Sequence, residues 1–260
     1  MTATAAAALA EQAVALYLEG ATDESLALCD KVILHYRDSR DAGEKAAVDR
    51  ALCGKAAVLD EIGRKDEAIS LHDEVIERNT PPADIESRRL LADSLLAKAC
   101  IVQSLGTDEA VAEAIDCYKR VLPARDKSDD PVLLEIESRA LLGEGYARFV
   151  AQRGFVQAFS WGEKRALFKC LDRSIDVLAE SRQDTDALML QAAKAVILRA
   201  QLLRLFGDAK SADKSMTVEA IARGFGAARA KRIAGFIELE QNLTALAATA
   251  GTRSLGVFLP

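Results

Sequence analysis

From Arg50 to Asn79 the sequence reads RALCGKAAVLDEIGRKDEAISLHDEVIERN, two amphipathic patterns parted by Gly63-Arg64. Leu52, Ala56, Leu59 and Ile62 recur every three or four residues in the first, and Ala68, Ile69, Leu71, Val75 and Ile76 mark the second. Both follow a 3.6-residue period and neither alternates as a strand does. Helix, tight glycine turn and helix make an antiparallel hairpin. One hairpin cannot bury its own apolar face, so it needs neighbours.

The chain supplies them by repeating itself. Gly54-Lys55-Ala56 returns as Ala97-Lys98-Ala99, as Gly143-Glu144-Gly145 and as Ala193-Lys194-Ala195, at steps of 43, 46 and 50 residues. In the second helices, Ala68-Ile69 with Val75-Ile76 matches Ala114-Ile115 with Val121-Leu122 and Ser25-Leu26 with Val32-Ile33; Cys170-Leu171 with Val177-Leu178 is a degenerate copy. The expected layout is five hairpins, near residues 5–36, 44–79, 83–122, 131–180 and 184–224. Turns are expected at Gly20-Ala21, Gly106 and Gly207, with Thr22 or Asp23 capping one helix and Asp129 or Asp130 capping another ahead of Pro131. A last helix, about 227–248, is expected to close the stack, and the tail from Thr249 to Pro260 to be irregular.

The segment around Gly63 resembles the tetratricopeptide repeat, with small residues where helices pack closely and an EA-I pattern opening the second helix. The 43-residue step and the Lys-small pair resemble the longer bacterial variant, whose repeats run to about 42 residues. The likeness covers about 200 residues and is strongest in hairpins two and three. Glu144 departs from the recurrent Lys, residues 154–162 are inserted in hairpin four, and hairpin five lacks a clear EA-I pattern. The resemblance implies an all-α, right-handed α-solenoid: a repeat domain over residues 1–224, then a capping helix and tail over 225–260. Such an architecture lines its inner surface with first helices.

Helical geometry selects that inner face. Taking Ala56, Ala99, Gly145 and Ala195 as packing centres, the face turned away from the second helices starts acidic and becomes apolar and aromatic. Asp60, Glu61, Gln103, Tyr146, Phe149 and Arg199 are its candidate contact residues; for Tyr146 and Phe149 the competing reading is core packing. Peptide-binding members of the family place an Asn just before the recurrent Lys. Gly54, Ala97, Gly143 and Ala193 stand there instead, which favours an apolar helix as the ligand, or the chain's own C-terminal helix in the groove. Glycine in a helix interior costs about 1 kcal/mol relative to alanine, so Gly54, Gly143 and Gly145 point to close helix contact. The stems of Lys55, Lys98 and Lys194 are expected to lie over apolar surface, with interhelical pairing as a minor role.

Aromatic residues give a second lead. Tyr146, Phe149, Phe155, Phe159, Trp161 and Phe168 crowd the stretch around the insertion FVQAFSWG. Aromatics dominate interface hot spots, so Phe159 and Trp161 join the candidate set; rings filling a gap in a widened hairpin are the alternative.

Chemistry offers less. His35 and His72 sit in different hairpins without ligand spacing for a metal, and the short glycine patterns follow no strand, as a phosphate loop requires. No catalytic constellation, cofactor site or metal site is expected. Cys29, Cys53, Cys100, Cys117 and Cys170 form no CxxC pair, and their odd number fits a reducing compartment. With no membrane-length apolar run and no basic leader at MTATAAAALAEQ, a cytoplasmic protein is expected.

Net charge is −6, yet Lys194 to Arg232 carries nine Lys or Arg against three Asp or Glu. Within it, Val218 to Phe236 loosely resembles a helix-turn-helix that would present Arg229, Lys231 and Arg232 to a major groove; a final turn and capping helix is the favoured reading. The expected function is therefore a non-catalytic scaffold or adaptor that binds a partner peptide or helix. The alternatives are a nucleic-acid-binding regulator using the basic region, or an array of copies joined through acidic and basic ends.

Overall fold

A computed structural model of the chain describes residues 5–125, 129–152 and 156–249. Phe155 and the tail 250–260 lie outside the described residues, and so does Gly154 of the insertion. Every regular element among the described residues is helical. None of these helices is long and apolar enough to cross a membrane. The chain divides into two compact units, residues 1–105 and 106–260.

In the first unit α1 (Ala5–Leu18) and α2 (Thr22–Tyr36) form one hairpin, and α3 (Ala42–Glu61) and α4 (Lys65–Arg78) the next; α5 (Ile85–Gln103) follows. Gly20 and Gly63 make the turns with φ of 81° and 84°, a region a side chain disfavours and glycine enters freely. Each second helix packs on the following first helix, α2 on α3 and α4 on α5. First helices also touch, α1 on α3 and α3 on α5. Val32, Val48, Leu52 and Val75 meet in the interior, while Ala56, Leu59, Ala68 and Ile101 form a second cluster.

The start of α2 differs from expectation. Thr22 and Asp23 lie inside the helix, and Ala21 takes the cap position without a side-chain bond. The acidic first turn of Asp23 and Glu24 meets the exposed helix amides electrostatically instead. By contrast Asp41 accepts from the Glu44 amide, and Asp84 forms a capping box with Ser87.

The second unit contains α6 (Asp108–Arg125), α7 (Pro131–Ala151), α8 (Trp161–Glu180), α9 (Asp186–Leu205), α10 (Ala209–Ser215), α11 (Val218–Phe225) and α12 (Ala227–Thr249). Asp130 caps α7 with Pro131 at its first turn, as the sequence suggests. Where one long helix was expected to close the fifth hairpin, two short ones stand. Thr217 adopts an extended backbone and its hydroxyl accepts from the Ala220 amide, starting a new helix. Thr249, expected in the tail, ends α12. That helix lays Ala230, Ile233 and Ile237 into the cluster formed by Leu188, Met189, Ala192, Ala193 and Val196 of α9.

Close helix approach is real at two of the three repeat glycines. A Cβ on Gly143 would lie 2.5 Å from Cζ of the fully buried Tyr118, and one on Gly145 would meet Leu171 Cδ2 at 3.4 Å. At Gly54 the nearest atom, Cys29 Sγ, is 3.6 Å away, so an alanine fits there. Two of the three recurrent lysines, Lys55 and Lys98, bind the preceding hairpin: Lys55 Nζ reaches Asp30 at 2.6 Å.

Candidate functional site

The acidic candidates of the first unit are tied to its own helix ends. Asp60 accepts from Lys65 Nζ at 3.2 Å, and the same ammonium donates to Ser104 Oγ at 2.5 Å. Lys65 thereby joins the ends of α3 and α5 to the start of α4. Glu61 is exposed beside Tyr17 of α1, whose hydroxyl pKa is pushed up first by its hydrogen bond to that carboxylate and then by burial. Gln103 is half-buried in the last turn of α5.

In the second unit the insertion sends its rings in opposite directions. After a 3-10 turn at Val156–Ala158, Phe159 points inward and Ser160 caps α8 in a reciprocal box with Glu163. Phe159 stacks on Phe149 at 5.9 Å between centroids and meets Phe206 edge-on at 5.2 Å; Phe168 meets Phe206 at 5.8 Å. With Leu142, Leu167, Leu171, Leu198 and Leu202 these rings fill the widened hairpin. Tyr146 is half-buried one turn earlier on α7. Trp161, the first residue of α8, is 76% exposed, with the Arg165 guanidinium 5.3 Å from its ring.

Arg199 leads to a cleft in this unit. It donates from Nε to Asp172 Oδ1 at 2.6 Å and lines a cleft of about 470 Å³ walled by α8, α9, α10 and α11. Val196, Ile221 and Phe225 are buried and, with half-buried Ile175, form an apolar floor. Arg199, Lys214 and Arg223 stand at the rim with Asp172 and Asp176. Burial, then the neighbouring carboxylates Asp172 and Glu180, push the Asp176 pKa up. Since Asp172 is engaged by Arg199, the remaining rim charge is Lys214 and Arg223 against Asp176. Such a cleft can take an apolar side chain with an acidic group beside it.

Lys214, Arg223 and Asp176 were not singled out from the sequence. The signal for the first two was the excess of basic residues after Lys194, which gives no positions. That same excess also contains cations already paired within the unit. Arg229 donates to the carbonyls of Ser181 at 3.1 Å and Leu178 at 2.9 Å, closing the end of α8, and lies over Phe225. Arg232 is paired with Asp184 and Asp186. Of the three residues of the helix-turn-helix reading, Lys231 is the exposed one.

Among the described residues no group of three His, Cys, Asp or Glu is placed to hold a metal ion. Burial pushes the thiols of Cys29 and Cys170 up to about 11 and that of Cys53 to about 12, far from the thiolate that nucleophilic chemistry requires. No protein-family model matches the chain, and no curated protein matches it.

Proposed function

We propose that the chain is a non-catalytic binding scaffold of tetratricopeptide-like hairpins, and that its second unit holds a partner segment in the cleft between α8 and α11. The observation that carries this reading is the cleft itself, a buried apolar floor under a rim whose unengaged charge is mostly basic. Consecutive first helices in contact within each unit support the repeat assignment. The solenoid and the family resemblance belong to the same proposal. The partner is a peptide or helix that inserts an apolar anchor and places a carboxylate against Lys214 and Arg223. Exposed Trp161 is a second contact for a longer partner. A nucleic-acid role gains nothing from Arg229 and Arg232, which are bound internally.

Selection of a displayed peptide library on the full-length protein tests the proposal. The expected winners pair a bulky apolar residue with nearby acidic ones. The double substitution Lys214→Glu and Arg223→Glu is expected to weaken the selected peptide at least tenfold with unchanged far-UV circular dichroism. A library without a consensus, or a consensus peptide indifferent to both substitutions, overturns the assignment of the cleft.

A further inference from the structure

The first unit carries a second cavity, of about 420 Å³, where the ends of α2 and α4 meet the starts of α3 and α5. We propose that it binds a small phosphate monoester, a ligand site beyond the peptide cleft and independent of it. Four cations line it: Arg37, Arg40, Lys45 and Arg78.

The construction around Arg78 is specific. Asp49 is only 4% exposed and accepts from Arg78 Nε at 2.5 Å through one oxygen and from Asn79 Nδ2 at 3.0 Å through the other. Asn79 is fixed in turn by a 2.9 Å bond to the Val75 carbonyl. A buried carboxylate thus holds the guanidinium by its Nε edge. The two terminal amino groups make no hydrogen bond within the described residues, so the outer fork remains available. Arg37 is held by Glu74 through one terminal nitrogen at 2.5 Å. Arg40 and Lys45 are exposed and enter no ion pair among the described residues.

Carboxylates line the cavity too, but they are engaged. Glu86 accepts from Arg50 Nη2 at 2.6 Å, and Asp84 accepts from the Ser87 amide at 2.8 Å as the cap of α5. The uncommitted donors are therefore cationic and converge from three chain segments. A phosphate monoester brings two negative charges and three terminal oxygens, enough to meet a guanidinium fork and two further cations at once. A single carboxylate offers two oxygens and one charge. Among the described residues no aromatic ring lines the cavity, whose apolar walls are Ala42, Ala46, Pro81, Ala83 and Leu90. That lining lacks a stacking platform for a nucleobase and suits a compact polar body such as a sugar.

The test is calorimetric titration of the full-length protein in chloride buffer at fixed ionic strength. The probes are glucose 6-phosphate, inorganic phosphate, glucose and citrate. Glucose 6-phosphate is expected to bind more tightly than inorganic phosphate, and both more tightly than citrate, with no heat from glucose. The exposed pair Arg40→Gln and Lys45→Gln is expected to raise the Kd for glucose 6-phosphate at least tenfold while the thermal midpoint of the unliganded protein stays in place. Arg78→Lys, which keeps the charge and loses the fork, is expected to weaken it as well. Absence of binding, citrate binding as tightly as the ester, or an unchanged Kd in the double variant overturns the proposal. None of these outcomes bears on the peptide cleft, whose rim residues are untouched.

Discussion

Lys98 and Asp73 form a two-pronged bond across consecutive hairpins, Nζ lying 2.7 Å from one carboxylate oxygen and 3.0 Å from the other. The pair is 25 residues apart in sequence, the same separation as Lys55 and Asp30. At these two positions a recurrent lysine therefore meets an aspartate of the second helix before it; at Lys194 the residue 25 positions earlier is Lys169, so the pairing does not extend there. The Lys98 side chain is 11% exposed and that of Lys55 is 27% exposed. Solvent screening weakens the outer pair more.

Asp73→Ala is expected to lower the unfolding free energy by about 1 kcal/mol, and Asp30→Ala by less than half of that. Urea unfolding of both variants at neutral pH reads the difference. Equal losses, or a larger one at Asp30, would show that burial does not grade these contacts.

The repeat glycines give a prediction of opposite signs. Gly143→Ala places a methyl 2.5 Å from the Tyr118 ring and is expected to destabilise by about 2 kcal/mol, the scale of core overpacking. Gly54→Ala has ordinary contact distances and is expected to stabilise by about 0.5 kcal/mol through helix propensity. Thermal unfolding of the two variants should move in opposite directions. Trimming the ring with Tyr118→Leu in the Gly143→Ala background should recover part of the loss.

His72 makes stability depend on acidity. It is 3% exposed with Nδ1 lacking a hydrogen-bond partner among the described residues, and burial lowers its pKa from 6.5 to about 4, against the opposing pull of Asp73 and Asp60 and with a smaller push from Lys98. The folded chain thus keeps the ring neutral where the unfolded chain binds a proton. Stability from this group is complete above pH 6.5 and is lost as pH falls toward 4, at about 1.4 kcal/mol per unit. Acidic residues titrate in the same range, so the comparison is with His72→Leu. The slope of unfolding free energy between pH 6.5 and 4 should be shallower in that variant; parallel slopes would remove His72 as the cause.

Helices were legible because burial writes a 3.6-residue period into the chain, as at Leu52, Ala56 and Leu59. Turns were legible where glycine takes positive φ, as at Gly63. The break at Met216-Thr217 was not, because a capping threonine in a polar stretch looks like any surface threonine. Sites were harder for a reason of geometry. A charge in the sequence has no address until its partner is known: Arg199 faces Asp172, Arg232 faces Asp184 and Asp186, while Lys214 and Arg223 stand at an open rim. The aromatic cluster around the insertion was visible, but only the cap at Ser160 decides that Phe159 turns inward and Trp161 outward.

Trp161 is the one tryptophan of the sequence and it is solvent-exposed at the first turn of α8. Nature has placed the chain's sole indole fluorophore where folding changes its surroundings little. Its emission should stay at long wavelength in both the native and the unfolded protein, so it is a poor gauge of denaturation. A partner that covers the start of α8 would shift that emission to shorter wavelength, making the unlabelled protein its own reporter of docking.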